Sequence, residues 1–191
     1  MSSRTFEEYV AMLEEPERVA WQKPDEVIAA LALRRDEVVA EVGCGTGYFT
    51  RRMAPHCAKV YAADTNPRLL ELAKESSGSN VETLVCTATD PALPAASVDT
   101  VFFCNVFHHV GDRVGYGAAL AQALKPGGRV VIVDFHKHEL PLGPSVERKL
   151  SREEAQRDLE SAGFEFVKSY EFLPYQYFLE FKRNKSRGDG V

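Results

Sequence analysis

Two sets of residues in this sequence have types and spacing that can do chemistry. The first is a bare-backbone bend, Glu41-Val42-Gly43-Cys44-Gly45-Thr46-Gly47, with Asp64, Asp90 and Asn105 farther down the chain. The second is a group of imidazoles, His108-His109 and His136-Lys137-His138, with Asp134 and Glu139 beside them. Glycines at alternate positions let a strand turn sharply and let a ligand lie against the main chain. Amides opening the helix that follows then face that ligand. Asp64 stands about 20 residues beyond the glycines, where a carboxylate accepts hydrogen bonds from ribose hydroxyls and repels a phosphate. An imidazole titrates near neutral pH and can take a proton from a substrate.

The segments around these residues must place them on one edge. Val38-Val39-Ala40 is a short buried strand running into Glu41. The spacing predicts a helix from Thr46 to about Ala54, ended by Pro55, and a second strand from Lys59 to Ala63 with Asp64 at its end. A helix through Leu69, Leu70, Leu72 and Ala73 follows, then a third strand from Val81 to Cys86 and a loop holding Thr89, Asp90 and Pro91. Thr100 to Cys104 reads as the fourth strand, leaving through Asn105 to His109. Tyr116 to Leu124 reads as a helix stopped by Lys125-Pro126-Gly127-Gly128, and Arg129 to Val133 as the fifth strand, ending at Asp134. Strands alternating with helices make a parallel sheet, whose ligands lie outside the strands' carboxyl ends. Glu41, Asp64, Asp90, Asn105 and Asp134 all follow strands and fall on that edge.

The glycine spacing does not complete the dinucleotide fingerprint, because Tyr48 stands where its last glycine belongs. Glu41-Val-Gly-Cys-Gly-Thr-Gly47 and Leu124-Lys-Pro-Gly-Gly-Arg-Val-Val-Ile-Val133 before Asp134 instead closely resemble the class I methyltransferases that use S-adenosylmethionine. The resemblance runs from about Glu37 to Asp134. It implies a Rossmann-like, seven-stranded, mostly parallel sheet with one antiparallel strand and helices on both faces. It also implies that Glu41, Gly43, Cys44 and Gly45 pass the methionine part of S-adenosylmethionine, with S-adenosylhomocysteine as product. Asp64 then meets the ribose and Asp90 the adenine amino group, with Thr89 or Pro91 as neighbours, while Thr65 and Asn105 are backbone or edge contacts. The strand-four exit, the lead-in Arg18 to Pro24 and the ending Phe172 to Tyr177 look like a group of small bacterial methyltransferases without a secure acceptor. Similarity to the arsenite and quinone-biosynthesis methyltransferases is confined to the cofactor half.

The chain has 191 residues, 45% apolar and 27% charged, with net charge −5. This fits a single domain with a full core. The acidic balance argues against a nucleic-acid substrate, since phosphate backbones want a basic face, and favours a small molecule. No apolar run approaches the roughly 20 residues of a membrane helix, and the start lacks the apolar centre of a secretory signal. Cys44, Cys57, Cys86 and Cys104 are scattered without a C-x-x-C pair, which suits reduced cysteines in the cytoplasm. The expected organisation is an N-terminal helical cap or lid over 1–34, a cofactor-binding half over 37–134, a substrate-side part over 135–182 and a polar tail over 183–191. In the cap, Phe6, Tyr9, Val10 and Leu13 form a helical stripe. Trp21 and Gln22 sit in a linker before a helix capped by Asp25. Ser151-Arg152-Glu153-Glu154 opens a late helix as a capping box, and Phe164 to Tyr170 and Tyr175 to Lys182 are the last two strands.

For the imidazoles three readings stand side by side: loop histidines bonded to backbone, a general base at His108 or His109, or a metal site, for which the loop spacing lacks helix-enforced geometry. No metal is assigned. For the chain as a whole, a nicotinamide-dependent oxidoreductase and a non-catalytic cofactor-binding relative remain the alternatives to methyl transfer onto a small-molecule acceptor.

Overall fold

A computed structural model describes residues 4–184. Seven strands form one sheet: β1 (Val38–Val42), β2 (Lys59–Asp64), β3 (Val81–Val85), β4 (Val98–Cys104), β5 (Leu124–Phe135), β6 (Phe164–Tyr170) and β7 (Gln176–Arg183). Their order across the sheet is β3-β2-β1-β4-β5-β7-β6. The pairs among the first five strands are parallel, and β7 is antiparallel to both β5 and β6. The order reverses between β1 and β4, which opens the crevice where such sheets take their ligands.

Both faces of the sheet are covered, so its central strands carry near-continuous apolar runs. In β5, Val130 and Ile132 face one core layer while Val131 and Val133 face the other. β4 repeats the alternation with Val101 and Phe103 against Phe102 and Cys104. The first layer is closed by α6 (Arg113–Ala123) and α7 (Arg152–Ser161), through Tyr116, Leu120, Ala155 and Leu159. The second is closed by α3 (Pro24–Leu31) and α4 (Thr50–Met53), through Val27, Leu31 and Met53, with Phe49 beside them. Helix α5 (Pro67–Glu75) lays Leu70 and Ala73 on Ala62 and Cys44.

Several expected boundaries move, each for a visible reason. The helix after the glycine turn is only Thr50–Met53, because residues 43–49 stay in turns bonded to the end of β2. Trp21 and Gln22 are not in a linker but in a short helix, α2 (Arg18–Gln22), whose end Lys23 turns left-handed and hands over to Pro24. Pro24 therefore opens α3, and Asp25 lies in its first turn rather than capping it. Helix α6 begins earlier than expected, at Arg113, where Asp112 caps it, and ends at Ala123. Lys125-Pro126-Gly127-Gly128 is then not a loop but the irregular start of β5. Leu124 pairs with Val98 and regular pairing resumes at Arg129 after a register shift. The N-terminal helix α1 (Phe6–Leu13) carries the expected stripe and opens on a capping box between Thr5 and Glu8, yet buries no residue. The box at Ser151 and Glu154 is formed as expected. Arg183 ends β7 and Asn184 bonds Gly163, so the tail starts after them; its remainder, 185–191, lies outside the described residues.

Candidate functional site

The bend after β1 is fixed from β2. Gly43 and Cys44 both donate backbone amides to the Ala63 carbonyl, at 2.7 and 3.0 Å. Gly43 has φ +73°, and a Cβ there would fall on the Val106 isopropyl group, so only glycine lets the chain pass β4's exit. Asp64 ties the two loops together. Its carboxylate accepts the Gly45 amide at 2.9 Å and the Asn66 amide at 2.9 Å. Each oxygen keeps a further lone pair for an incoming hydroxyl. Helix α5 is capped by Asn66, not by Asp64.

Glu41 is fully enclosed at the end of β1. The Thr50 hydroxyl donates to it, and burial pushes its carboxyl up to about 8 despite that bond and the Arg18 charge nearby. A carboxyl poised in this way ionises readily once a cation arrives. Cys44 is buried in the bend and its thiol is pushed up by burial, then by the Glu41 and Asp64 charges, so it contributes its backbone and not a thiolate. The four cysteines are all free and buried.

Arg18 escaped the sequence reading. Its guanidinium stacks over the Tyr48 ring at 3.9 Å and donates to the Leu13 carbonyl at 2.7 Å, while its buried Nε has no hydrogen-bond partner. Nothing local marks it, because its surroundings are assembled from α1, α2 and the glycine turn. Tyr9 also went unnoticed: burial raises its phenol, and the Asp64 charge raises it further. That coupling brings α1 close to the second carboxylate.

At the end of β4, Asn105 adopts a left-handed conformation (φ +61°) that asparagine tolerates better than most residues. Its amide closes a ring of three. Gln22 donates to Gln176 at 2.7 Å, Gln176 donates to Asn105, and Asn105 donates back to Gln22 at 3.1 Å. This ring bolts α2 to the ends of β4 and β7. Trp21 packs on Phe135, ring centroids 5.8 Å apart, at the end of β5.

Thr89 and Asp90 stand exposed in the loop after β3. Asp90 accepts the Ala92 amide at 2.8 Å, and Thr89 bonds only to Thr87. Thr65 is exposed beyond β2. Their bonds stay within their own loops, so these three residues are placed on the correct edge but are not tied to the glycine turn.

The hollow that His108 and His109 line does not include His136 or His138. His136 and His138 stack on each other at 5.8 Å, and His136 lies against Tyr177. His108 instead belongs to a buried dyad, its Nδ1 lying 2.9 and 3.0 Å from the two carboxylate oxygens of Asp134. Asp134 also accepts the backbone amides of Phe135 and His108, at 2.9 and 3.2 Å. A carboxylate can only accept, so Nδ1 carries the hydrogen, and in the neutral imidazole Nε2 keeps the lone pair. His109 lies 4.1 Å from His108 by ring centroid, and its imidazole is held below its ordinary value by burial, then by His108. Both histidines border a hollow of about 380 Å³ in front of α6 and α7. A larger hollow, about 550 Å³, opens at the amino ends of β2 and β3 beside Lys59 and Lys74. It lies on the edge opposite the glycine turn, away from every residue described above.

Comparison with known proteins agrees with this arrangement. Residues 40–132 match the family model described as a methyltransferase domain. The crystal structure of a SAM-dependent methyltransferase from Aquifex aeolicus superposes with a TM-score of 0.86 and 25% identity, covering 94% of this chain and 99% of that one. The ubiquinone biosynthesis O-methyltransferase of Cereibacter sphaeroides is 36% identical over 101 residues, 51% of this chain and 41% of that protein. The tRNA U34 carboxymethyltransferase of Cellvibrio japonicus is 34% identical over 116 residues, 58% of this chain and 36% of that protein. The matched part is thus well under half the length of these two relatives. The sheet order, together with the match over residues 40–132, makes this chain similar to the class I S-adenosylmethionine-dependent methyltransferases. S-adenosylmethionine is the cofactor of that class, and the residues present fit it: a cradle only glycine can line, a buried carboxyl awaiting a cation, and an unpartnered buried guanidinium nitrogen. No helix among the described residues is long and apolar enough to cross a membrane.

Proposed function

We propose that this protein transfers the methyl group of S-adenosylmethionine to a hydroxyl of a small-molecule acceptor, with His108 as general base. The observation that carries the reading is the His108–Asp134 dyad, formed on the same sheet edge as the cofactor cradle and bordering an open hollow. The cofactor, when bound, would supply a methyl activated by its sulfonium: the acceptor would form a bond to that carbon as the sulfur–methyl bond breaks and the neutral thioether leaves as S-adenosylhomocysteine. What the chain must add is position and a proton sink. Gly43, Cys44 and Gly45 line the methionine part, where Glu41 faces the ammonium and Arg18 the carboxylate. Asp64, with Thr65 at its side, accepts the ribose hydroxyls, and Thr89 and Asp90 border the adenine. Asn105, held in its amide ring, keeps the exit of β4 in place. Alignment of two bound reactants can supply about 7–11 kcal/mol of rate enhancement. His108 Nε2 then takes the hydroxyl proton as the oxygen attacks, while Asp134 steadies the imidazolium that results. His109 lies tilted against that ring and is the alternative base.

Helices α1 and α2 act as a lid, with Trp21 and Gln22 on its inner side, and the four reduced cysteines suit the cytoplasm. A small acceptor is preferred to tRNA, the acceptor named for the Cellvibrio japonicus relative, because the chain is acidic overall. Calorimetry tests the cofactor part: S-adenosylhomocysteine binds and NADH does not. Asp64→Ala weakens that binding about 10²–10⁴-fold, since two charge-assisted hydrogen bonds are worth about 1.5–3 kcal/mol each. Binding of NADH in place of S-adenosylhomocysteine would return the chain to the oxidoreductases. A labelled-methyl screen over phenols, alcohols, thiols, amines and carboxylates tests the acceptor part, and product from the amines alone would remove the need for a base.

A further inference from the structure

We infer that the hollow bordered by His108 is a basic subsite built for the anionic end of the acceptor, a carboxylate or a phosphate monoester. This rests on the methyltransferase reading above and adds the acceptor's charge to it.

The hollow of about 380 Å³ lies between the turn carrying His108 and His109, the start of α6, and the segment leading into α7. Four fixed cations reach it: Arg113, Lys137, Arg148 and Lys149. Two of them are already neutralised. Arg113 pairs with Asp158 at 2.6 Å, and Lys137 with Glu154 at 2.9 Å. The other two have no ion pair among the described residues. Lys149 is the telling one. Its side chain is buried, 5% exposed, and its ammonium donates to the His138 carbonyl at 2.7 Å without any carboxylate beside it. Burying an ammonium without a counter-charge is costly, and proteins rarely do so without a partner. Arg148 adds a second unpaired charge at the rim, close enough to His109 to hold that imidazole down, after burial and His108. The remaining carboxylate, Glu147, is fully exposed. An excess of positive charge thus concentrates here in a chain whose net charge is −5. An anion entering the hollow would satisfy Lys149 and Arg148, in the hollow that His108 borders with its Nε2 unpaired. Charged hydrogen bonds of this kind fix orientation as well as affinity.

The test uses the full chain saturated with S-adenosylhomocysteine, titrated calorimetrically with benzoate, phenyl phosphate and the neutral isostere benzamide. The same titrations are run without S-adenosylhomocysteine, so the hollow is tested whatever happens at the cofactor site. At least one anion is expected to bind at least about tenfold tighter than benzamide, a difference of about 1.4 kcal/mol. Which anion binds identifies the source, carboxylate or phosphate. Lys149→Met should remove most of that preference and Arg148→Ala part of it, with S-adenosylhomocysteine affinity unchanged in both. Because Lys149 is buried, circular dichroism must show Lys149→Met folded, and the exposed Arg148 variant carries the test if it is not. Equal binding of anion and amide, or a preference untouched in Lys149→Met and Arg148→Ala, overturns the inference. If the anions fail while S-adenosylhomocysteine binds, only the subsite falls. If S-adenosylhomocysteine fails while the anions bind, the subsite stands and the cofactor reading falls.

Discussion

Glu41 and Asp64 are both carboxylates on one edge, yet their surroundings give them different work. Asp64 accepts two backbone amides, one on each oxygen, and keeps lone pairs for hydroxyls. Glu41 is enclosed, and its carboxyl sits at about 8 because burial penalises the charged form. A folded value above the ordinary one means that this group's favourable contribution is complete below about 4.5 and fades as pH rises through about 8. A ligand ammonium beside it reverses the trend by stabilising the ionised form. Cofactor binding at pH 7 is therefore expected to release up to one proton and to tighten between about pH 5 and 8. Calorimetry of S-adenosylhomocysteine in buffers of different ionisation enthalpy measures this directly. Glu41→Gln should abolish the buffer dependence, and a wild-type enthalpy independent of buffer would take Glu41 out of contact with the ammonium. At the dyad, His108→Ala is expected to lower kcat by about 10²–10⁴, the usual worth of a positioned base. Asp134→Asn should lower kcat and shift its pH profile while leaving cofactor affinity alone, because its charge orients the imidazole without touching substrate. Full activity in both would leave His108 a structural residue.

The elements that carry these residues were legible in the sequence to unequal degrees. Strand cores were plain, since two-sided burial writes continuous apolar runs at 38–40, 101–104 and 130–133. The carboxylates proposed for the cofactor were placed by the same pattern: each lies at or beyond a strand's end, and chain order alone puts it on that edge. Boundaries were not, because Pro126 and the left-handed Gly127 read as a helix stop yet sit inside a strand that begins with one irregular pair. Arg18, the Asn105 amide ring and the separation of the histidines were not legible either, since each depends on contacts between segments far apart in sequence. Helix α1 is the element most exposed to test. It buries nothing, and its hold on the site is a ring of polar contacts at its end, where Glu14 takes bonds from Thr46 and Arg51 and Leu13 lies over Gly45. The arginine bond and the threonine bond together outweigh burial and draw the Glu14 carboxyl below its ordinary value. Both partners are partly exposed, so the contact is worth about 1 kcal/mol. Glu14→Ala should therefore speed S-adenosylhomocysteine dissociation about fivefold with little change in melting temperature. An unchanged off-rate in stopped-flow would mean that α1 does not gate the site.

At the scale of the whole molecule, the sheet that supplies stability also supplies the site, and Phe103 joins the two. It is fully buried in β4, two residues before Asn105, and makes edge-on contacts with Phe107 and Tyr116 at centroid distances of 5.3 and 6.3 Å. Phe107 begins the turn that carries His108 and His109. Emptying this position removes packing under the turn and beside the crevice at once. Phe103→Ala is expected to cost about 3–5 kcal/mol. At about 2–4 °C per kcal/mol for a chain of this size, that lowers Tm by roughly 6–20 °C. A ligand bound only by the folded state opposes the loss. S-adenosylhomocysteine at a hundred times its Kd adds about 2.7 kcal/mol to the wild type. In the variant the return should be smaller at equal concentration, because the loosened turn and β4 exit weaken the site as well as the core. Calorimetric melts of both proteins, with and without ligand, separate the two effects. A full ligand-induced rise in Phe103→Ala would show that the core and the cofactor cradle are energetically independent, and that the register of β1 against β2 alone holds the cradle in shape.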